Sequence, residues 1–189
     1  MQKYLITNPE SFNDSEKQFY KYLNQVQNFD FILYRDKESL NYKKFAKIFV
    51  DVLRKKGIEK IILHQDSLLA YNLKAFGVHL TSKQFSEIRK AKDLNLWTII
   101  STHSLDEIEL ANRLGADAVT FSPIFETPNK GEAKGIEILE KAIQLFPQIK
   151  IFALGGVQSE IEVNKLNKVR GVFGFASIRF FIRQGIIKN

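Results

Sequence analysis

The chain contains no cysteine, which removes disulfide frameworks and thiolate metal sites from consideration. It has one tryptophan and one methionine against sixteen phenylalanines, so phenylalanine must carry most of the aromatic packing. No window approaches the ~18 consecutive apolar residues of a membrane-spanning helix. The opening MQKYLITNPE lacks the basic and long apolar regions of a secretory signal, so the cytoplasm is the expected compartment. Linkers, repeats and low-complexity tracts are also missing. The 189 residues, 44% of them hydrophobic, are therefore expected to form a single domain, 1–189, around a real core.

What is present in excess is positive charge. Lysine and arginine number 28 against 21 acids, a formal +7. Such a balance favours anionic partners in general. The basic residues are spread along the chain, however, and the densest groups, Lys43-Lys44-Lys47 and Arg54-Lys55-Lys56, fall in a helical pattern. Solvated helix faces are the expectation for them. No nucleic-acid-binding motif is present, and neither a nucleic-acid nor a membrane partner is expected.

Short apolar runs recur along the chain. They are Tyr4–Thr7, Phe31–Tyr34, Lys60–Leu63, Gly77–Leu80, Leu96–Ser101, Ala118–Ile124, Lys150–Leu154 and Gly171–Ala176. Near-continuous apolar runs of this length suit strands covered on both faces, as in parallel sheets. Several of the intervening segments read as helices. Ser104 offers a cap with Glu107 three residues on, Leu105, Ile108, Ala111 and Leu114 follow at helical spacing, and Gly115 stands where the helix should stop. Gly57 similarly closes a helix beginning near Leu40, and Ile136, Leu139, Ile143 and Phe146 form a stripe ended by Pro147. Eight strands alternating with helices predict an α/β fold, a compact (β/α)8 TIM barrel, with an open doubly wound sheet as the alternative. The gap between the third and fourth runs requires a short helix, and Phe180-Phe181-Ile182 leaves room only for a truncated final one.

Barrel function collects on the loops after the strand C-termini. Those loops carry Arg35-Asp36-Lys37, His64-Gln65-Asp66, Thr81, Ser82 and Gln84, Thr102-His103, residues 125–130, Gly155-Gly156 and Ser177. The paired glycines let backbone approach a ligand, and their N–H groups with the next helix N-terminus favour a phosphate. A tight turn with no ligand is the plainer reading of the same pair. Arg35 and Lys37 alternate at a strand end, so both are expected at the mouth. Lys130, on a proline-containing loop, is a candidate partner for a second anion, or else a solvated lysine.

The segment Phe121-Ser122-Pro123-Ile124-Phe125-Glu126-Thr127-Pro128-Asn129-Lys130 resembles the G-P-x-F-x-T-x-T-K segment of thiamine-phosphate synthases. Ser101-Thr102-His103-Ser104 with Gly115-Ala116-Asp117, Gly77-Val78-His79-Leu80, Tyr4-Leu5-Ile6-Thr7, Arg35-Asp36-Lys37 and Leu154-Gly155-Gly156-Val157 are similar to other motifs of that family, in order along nearly the whole chain. The family holds synthases, which join a pyrimidine diphosphate to a thiazole phosphate with Mg²⁺, and TenI-type thiazole tautomerases, which use no metal. The resemblance implies that Gly155 and Gly156, helped by Ala176 and Ser177, hold the thiazole phosphate. It implies that Arg35, Lys37, Ser101, Thr127 and Lys130 hold the diphosphate of a synthase, with Gln65, Gln84 and Asn129 as further candidates for substrate or phosphate binding.

The chain departs from the synthase pattern where metal carboxylates are expected. The Asn-Asp pair after the third strand falls on His64-Gln65, and the aspartate after the fourth falls on Gln84. Neutral amides are poor Mg²⁺ ligands, so no metal residue is assigned, and Mg²⁺ is expected only if synthase activity is retained. Asp66 stands one residue away, with capping of the next helix as its expected role. The tautomerase histidine falls on Pro123, which leaves His64, His103 and Glu126 as catalytic candidates. His79, inside a strand, is expected to pack. Three readings follow: a metal-independent thiazole tautomerase, preferred here, a synthase with altered metal ligands, and a non-catalytic binder of thiazole or thiamine phosphate. A homo-oligomer is compatible with each.

Overall fold

The computed structural model describes residues 1–128 and 130–183. Eight parallel strands close in sequence order: β1 (Gln2–Ile6), β2 (Phe31–Tyr34), β3 (Ile61–His64), β4 (Gly77–Leu80), β5 (Trp97–Thr102), β6 (Ala118–Phe121), β7 (Lys150–Leu154) and β8 (Gly174–Ser177). The helices that follow them are α1 (Glu16–Gln25), α2 (Tyr42–Lys55), α3 (Ser67–Asn72), α4 (Glu87–Asp93), α5 (Leu105–Arg113), α6 (Gly135–Leu145), α7 (Glu160–Asn167) and α8 (Arg179–Arg183). Pairing of β1 with β8, Leu5 opposite Ser177, completes the (β/α)8 barrel and excludes the open sheet. Among the described residues, no helix is long and apolar enough to cross a membrane.

The strands read as continuous apolar runs because both faces are buried, and the pleat decides which side chain goes where. Tyr4, Ile6, Phe31, Leu33, Ile62, Ile99 and Phe152 fill the barrel interior. Their neighbours Leu5, Ile32, Leu63, Val78, Ile100 and Ala153 face the helices. Phe31 is the hub of the lower interior, stacked on Trp97 at 4.9 Å and edge-on to Phe152 at 5.5 Å. Truncating such a buried phenylalanine to alanine costs ~3–5 kcal/mol.

The helices begin where capping chemistry allows. The Ser104 hydroxyl accepts from Glu107 N–H at 3.1 Å at the start of α5. Ser159 and Glu162 form a reciprocal capping box on α7. α3 is six residues long, as the tight spacing required, and α8 is a five-residue stub with Phe180 packed on Phe175 at 5.0 Å.

Some boundaries differ from the apolar runs. β6 ends at Phe121 rather than Ile124, because Pro123 has no N–H for the ladder. The chain nevertheless stays against β7, through Ile124 N–H to Leu154 O at 2.9 Å. β3 extends one residue to include His64, which pairs with His79 of β4. β8 starts at Gly174, three residues later than the run, because Gly171 turns with φ +88°. Leu40 is fully exposed ahead of α2, which begins at Tyr42.

Candidate active site

Continuing the strand alternation past the interior layer gives the site. The inward positions above the core are Ile6, Leu33, His64, His79, Ser101, Leu154 and Ala176. They floor a cavity of about 670 Å³. Two and four residues beyond Leu33 come Arg35 and Lys37, and both line it. Lys130 and Arg179 add two further cations, while Glu10 is the one acid in the lining. The rim is therefore suited to an anion.

The cations on the loop after β2 are held from below. Thr7 Oγ1 accepts from Arg35 N–H at 2.9 Å and donates to Arg35 O at 3.2 Å. The buried Asp36 carboxylate accepts from Glu38 N–H and Ser39 N–H, each at 3.1 Å, which fixes the turn between the two cations. Burial lowers the Arg35 pKa, and Asp36 opposes that shift. Lys37 is lowered chiefly by the neighbouring Arg35 charge, then by burial and by Lys130.

Opposite them is the turn after β7. Gly155 and Gly156 have φ of +93° and +73°, and successive N–H groups in such a conformation form an anion-binding concavity. The N–H groups of Gly155, Gly156 and Val157 meet no acceptor among the described residues, and all three residues line the cavity. The glycines serve a second need. A Cβ at Gly155 would lie 2.7 Å from Pro123 Cα, so their absence lets the β7 turn close on the β6 loop that carries Thr127 and Lys130. Two amides just ahead of the next helix, α7, are already taken. Glu162 Oε2 already accepts from Gln158 and Ser159 N–H at 3.2 and 2.8 Å.

The three histidines have different environments. His79 is buried, with Nδ1 3.0 Å from Tyr4 Oη and Nε2 3.0 Å from Ser101 Oγ. Burial pushes the Tyr4 phenol well up and holds His79 well below its usual range. Tyr4 therefore donates to Nδ1, and His79 Nε2–H donates to Ser101 Oγ. Thr120 Oγ1 lies 3.4 Å from the same Nε2, so Ser101 and Thr120 share that nitrogen. His64 is also buried and lines the cavity, and its ring makes no hydrogen bond among the described residues. Burial, then Arg35 and Lys37, lower its pKa to about 3. His103 Nδ1 is anchored by Ser122 O at 3.1 Å, which leaves Nε2 as the free nitrogen.

The thiamine monophosphate synthase family model matches residues 3–180. A candidate thiamine-phosphate synthase of Aquifex aeolicus is 32% identical over 152 residues, covering 78% of this chain and 79% of that protein. The chain belongs to the thiamine monophosphate synthase family. The thiamine-phosphate synthase of Bacillus velezensis is 31% identical over 120 residues, a match spanning 61% of this chain and 53% of that protein. The thiamine phosphate pyrophosphorylase structure from Pyrococcus furiosus superposes with a TM-score of 0.77 at 22% identity, covering 98% of this chain and 95% of that one. That superposition independently supports the barrel.

Membership in this enzyme family assigns the chain to thiamine biosynthesis, and the geometry sorts the residues that its motifs pointed to. Arg35, Lys37, His64, Ser101, His103, Thr127, Lys130, Gly155, Gly156, Ala176 and Ser177 come together on one cavity. Gln65, Gln84 and Glu126 do not line it. Gln65 has φ +68° and its carbonyl accepts from Gln84 Nε2 at 3.2 Å, a contact that joins the two loops. Glu126 is exposed, on the far side of the turn packed against Gly156. Asn129 lies outside the described residues. The Ser177 hydroxyl donates to Val157 O at 2.7 Å, so it supports the turn after β7 from behind. Asn8, Glu10, Ser122 and Arg179 line the cavity without having been expected. Arg179 stands two residues past the end of β8, and counting two residues beyond Ser177 would have found it.

The donor set does not fit a Mg²⁺ held by protein carboxylates. The Asp66 carboxylate accepts from Leu69 N–H at 2.8 Å as the cap of α3. Gln84 Oε1 accepts from Thr81 N–H at 3.0 Å and Thr81 Oγ1 at 3.1 Å. Among the described residues, no three of His, Cys, Asp and Glu cluster as metal ligands.

Proposed function

We propose that the protein is a transferase that joins a pyrimidine diphosphate to a thiazole phosphate. The observation that carries this reading is the presence of two anion-attracting ends on one cavity: the open amides of Gly155–Val157 and the cations Arg35, Lys37 and Lys130. A tautomerase or simple binder of one monophosphate has no use for the second end. In the proposed reaction the thiazole nitrogen forms a bond to the pyrimidine methylene carbon. The carbon–oxygen bond to the diphosphate breaks, and the diphosphate leaves with the electron pair. Arg35, Lys37 and Lys130 stabilise the charge gathering on that leaving group. The Ser101 hydroxyl, oriented by His79, supplies a neutral donor between the two ends. The names of the Aquifex and Bacillus relatives support this reading over the tautomerase expected from sequence. Chemistry on small phosphorylated intermediates also suits a cytoplasmic enzyme.

One observation favours the tautomerase as a second reading. His64 is a buried, uncharged imidazole that lines the cavity with no ring hydrogen bond among the described residues, so it can accept a proton from a bound substrate, as a weak base with its pKa lowered to about 3. Both readings are tested on the purified protein. Formation of thiamine phosphate and pyrophosphate from the two substrates supports the transferase, and no product at high enzyme concentration removes it. Exchange between carboxythiazole phosphate isomers, followed by NMR, would support the tautomerase instead. Calorimetric binding of thiazole phosphate with neither activity would leave a binder.

A further inference from the structure

We infer that the diphosphate end of the cavity is neutralised by side-chain cations, with Lys83 as an added member beside Arg35, Lys37 and Lys130, in place of a protein-held divalent ion. The inference rests on reading that end as the diphosphate site.

The first support is what the carboxylates and amides near the mouth already do. Asp66 caps α3, and both ends of the Gln84 amide are engaged, its oxygen by Thr81 and its nitrogen by the Gln65 carbonyl. Asp36 holds the amides of Glu38 and Ser39. Glu38 acts on Lys37 as a weak counter-charge, and Glu10 is the one acid that lines the cavity. Among the described residues, no group of three acids and histidines gathers to hold a hard cation that prefers oxygen anions.

The second support is where the positive charge stands. Arg35, Lys37 and Lys130 line the same cavity. Lys83 lies in the Thr81–Gln84 segment after β4, whose first two residues line it too. The Lys83 side chain is exposed just outside the lining, next to Ser82, and its charge is the smallest of the causes that lower the Lys37 pKa. Like charges on the loops after β2, β4 and β6 repel one another until a polyanion enters, and each repulsion is then offset by an attraction. The Thr81–Gln84 hydrogen bonds hold the segment carrying Lys83 in place, so an amide at position 84 has a structural role.

The test uses inorganic pyrophosphate as the probe in calorimetric titrations of the intact protein, in EDTA and again in excess MgCl2. Binding in EDTA that is no weaker than in magnesium is expected. Lys83→Ala is expected to weaken it by about twofold to fivefold in EDTA, the range for losing one exposed charged contact, with inorganic phosphate binding at the glycine turn unchanged. Pyrophosphate binding seen only with magnesium, no binding in either condition, or an unchanged Lys83→Ala affinity overturns the inference. Pyrophosphate binding in EDTA, with no thiamine phosphate formed under any condition, removes the transferase reading and leaves the inference standing. Synthesis that needs magnesium, with no binding in EDTA, does the reverse.

Discussion

A Cβ placed on Gly156 would lie 2.6 Å from the Cβ of Phe125, closer than any real side chain tolerates. The glycine therefore joins two loops, the turn after β7 whose amides line the cavity and the loop that carries Thr127 and Lys130. Gly156→Ala should cost at least ~1 kcal/mol from its left-handed backbone alone, and more from the contact with Glu126 O at 2.7 Å. Denaturant unfolding should show the loss, and calorimetry with inorganic phosphate should show affinity reduced by at least about tenfold. Wild-type phosphate affinity in a folded Gly156→Ala protein would mean that the anion sits elsewhere.

Asp66→Ala separates a cap from a metal ligand. The carboxylate is bonded to Leu69 N–H at 2.8 Å, so its loss should cost ~1 kcal/mol of stability. It should leave the response of activity to magnesium unchanged. A thermal melt and a magnesium titration of activity decide the matter. A shifted magnesium dependence with unaltered stability would return Asp66 to the metal.

The barrel was legible because its strands are buried on both faces and written as apolar runs. The ring of cavity residues was legible in part, through the simple rule that loops after strands carry function. Strand alternation would have refined that rule. It puts His64, His79 and Ser101 on the inside, and it leaves Gln65 on a turn that faces away. Gln65 and Gln84 were read by their motif positions, which carry no information about side-chain direction. The role of Gln84 depends on a hydrogen bond to Thr81, a partner that position alone could not identify. The glycine pair lines the cavity, but its packing against Pro123 and Phe125 joins loops more than thirty residues apart in sequence, and no local pattern records it.

Tyr4→Phe tests the proton arrangement under the cavity. Tyr4 Oη is the donor that satisfies His79 Nδ1, at 3.0 Å in a buried setting. Removing it leaves a buried acceptor unpaired, at a cost of ~1–3 kcal/mol, and frees His79 to take the other tautomer. In the wild type, nitrogen-15 NMR should show the His79 proton on Nε2. In Tyr4→Phe a share of the proton should move to Nδ1, and ligand affinity should fall as Ser101 loses its donor. A wild-type proton on Nδ1 would reverse the direction of this chain of hydrogen bonds.

His64 predicts how stability changes with acid. Its pKa falls from 6.5 to about 3 on folding, so the unfolded chain binds the proton more tightly. Its contribution is complete above the unfolded value and is lost as pH falls from about 6.5 toward 3. The full shift corresponds to a few kcal/mol at ~1.4 kcal/mol per unit. His79 is shifted in the same direction, so it adds to the same acid loss and survives replacement of His64. His64→Asn should therefore flatten, without abolishing, the fall in unfolding free energy between about pH 7 and pH 4. Denaturant titrations at a series of pH values measure the slope. An unchanged slope would mean that the ring is solvated or partnered, which would remove it both as a buried neutral group and as a base poised over the cavity.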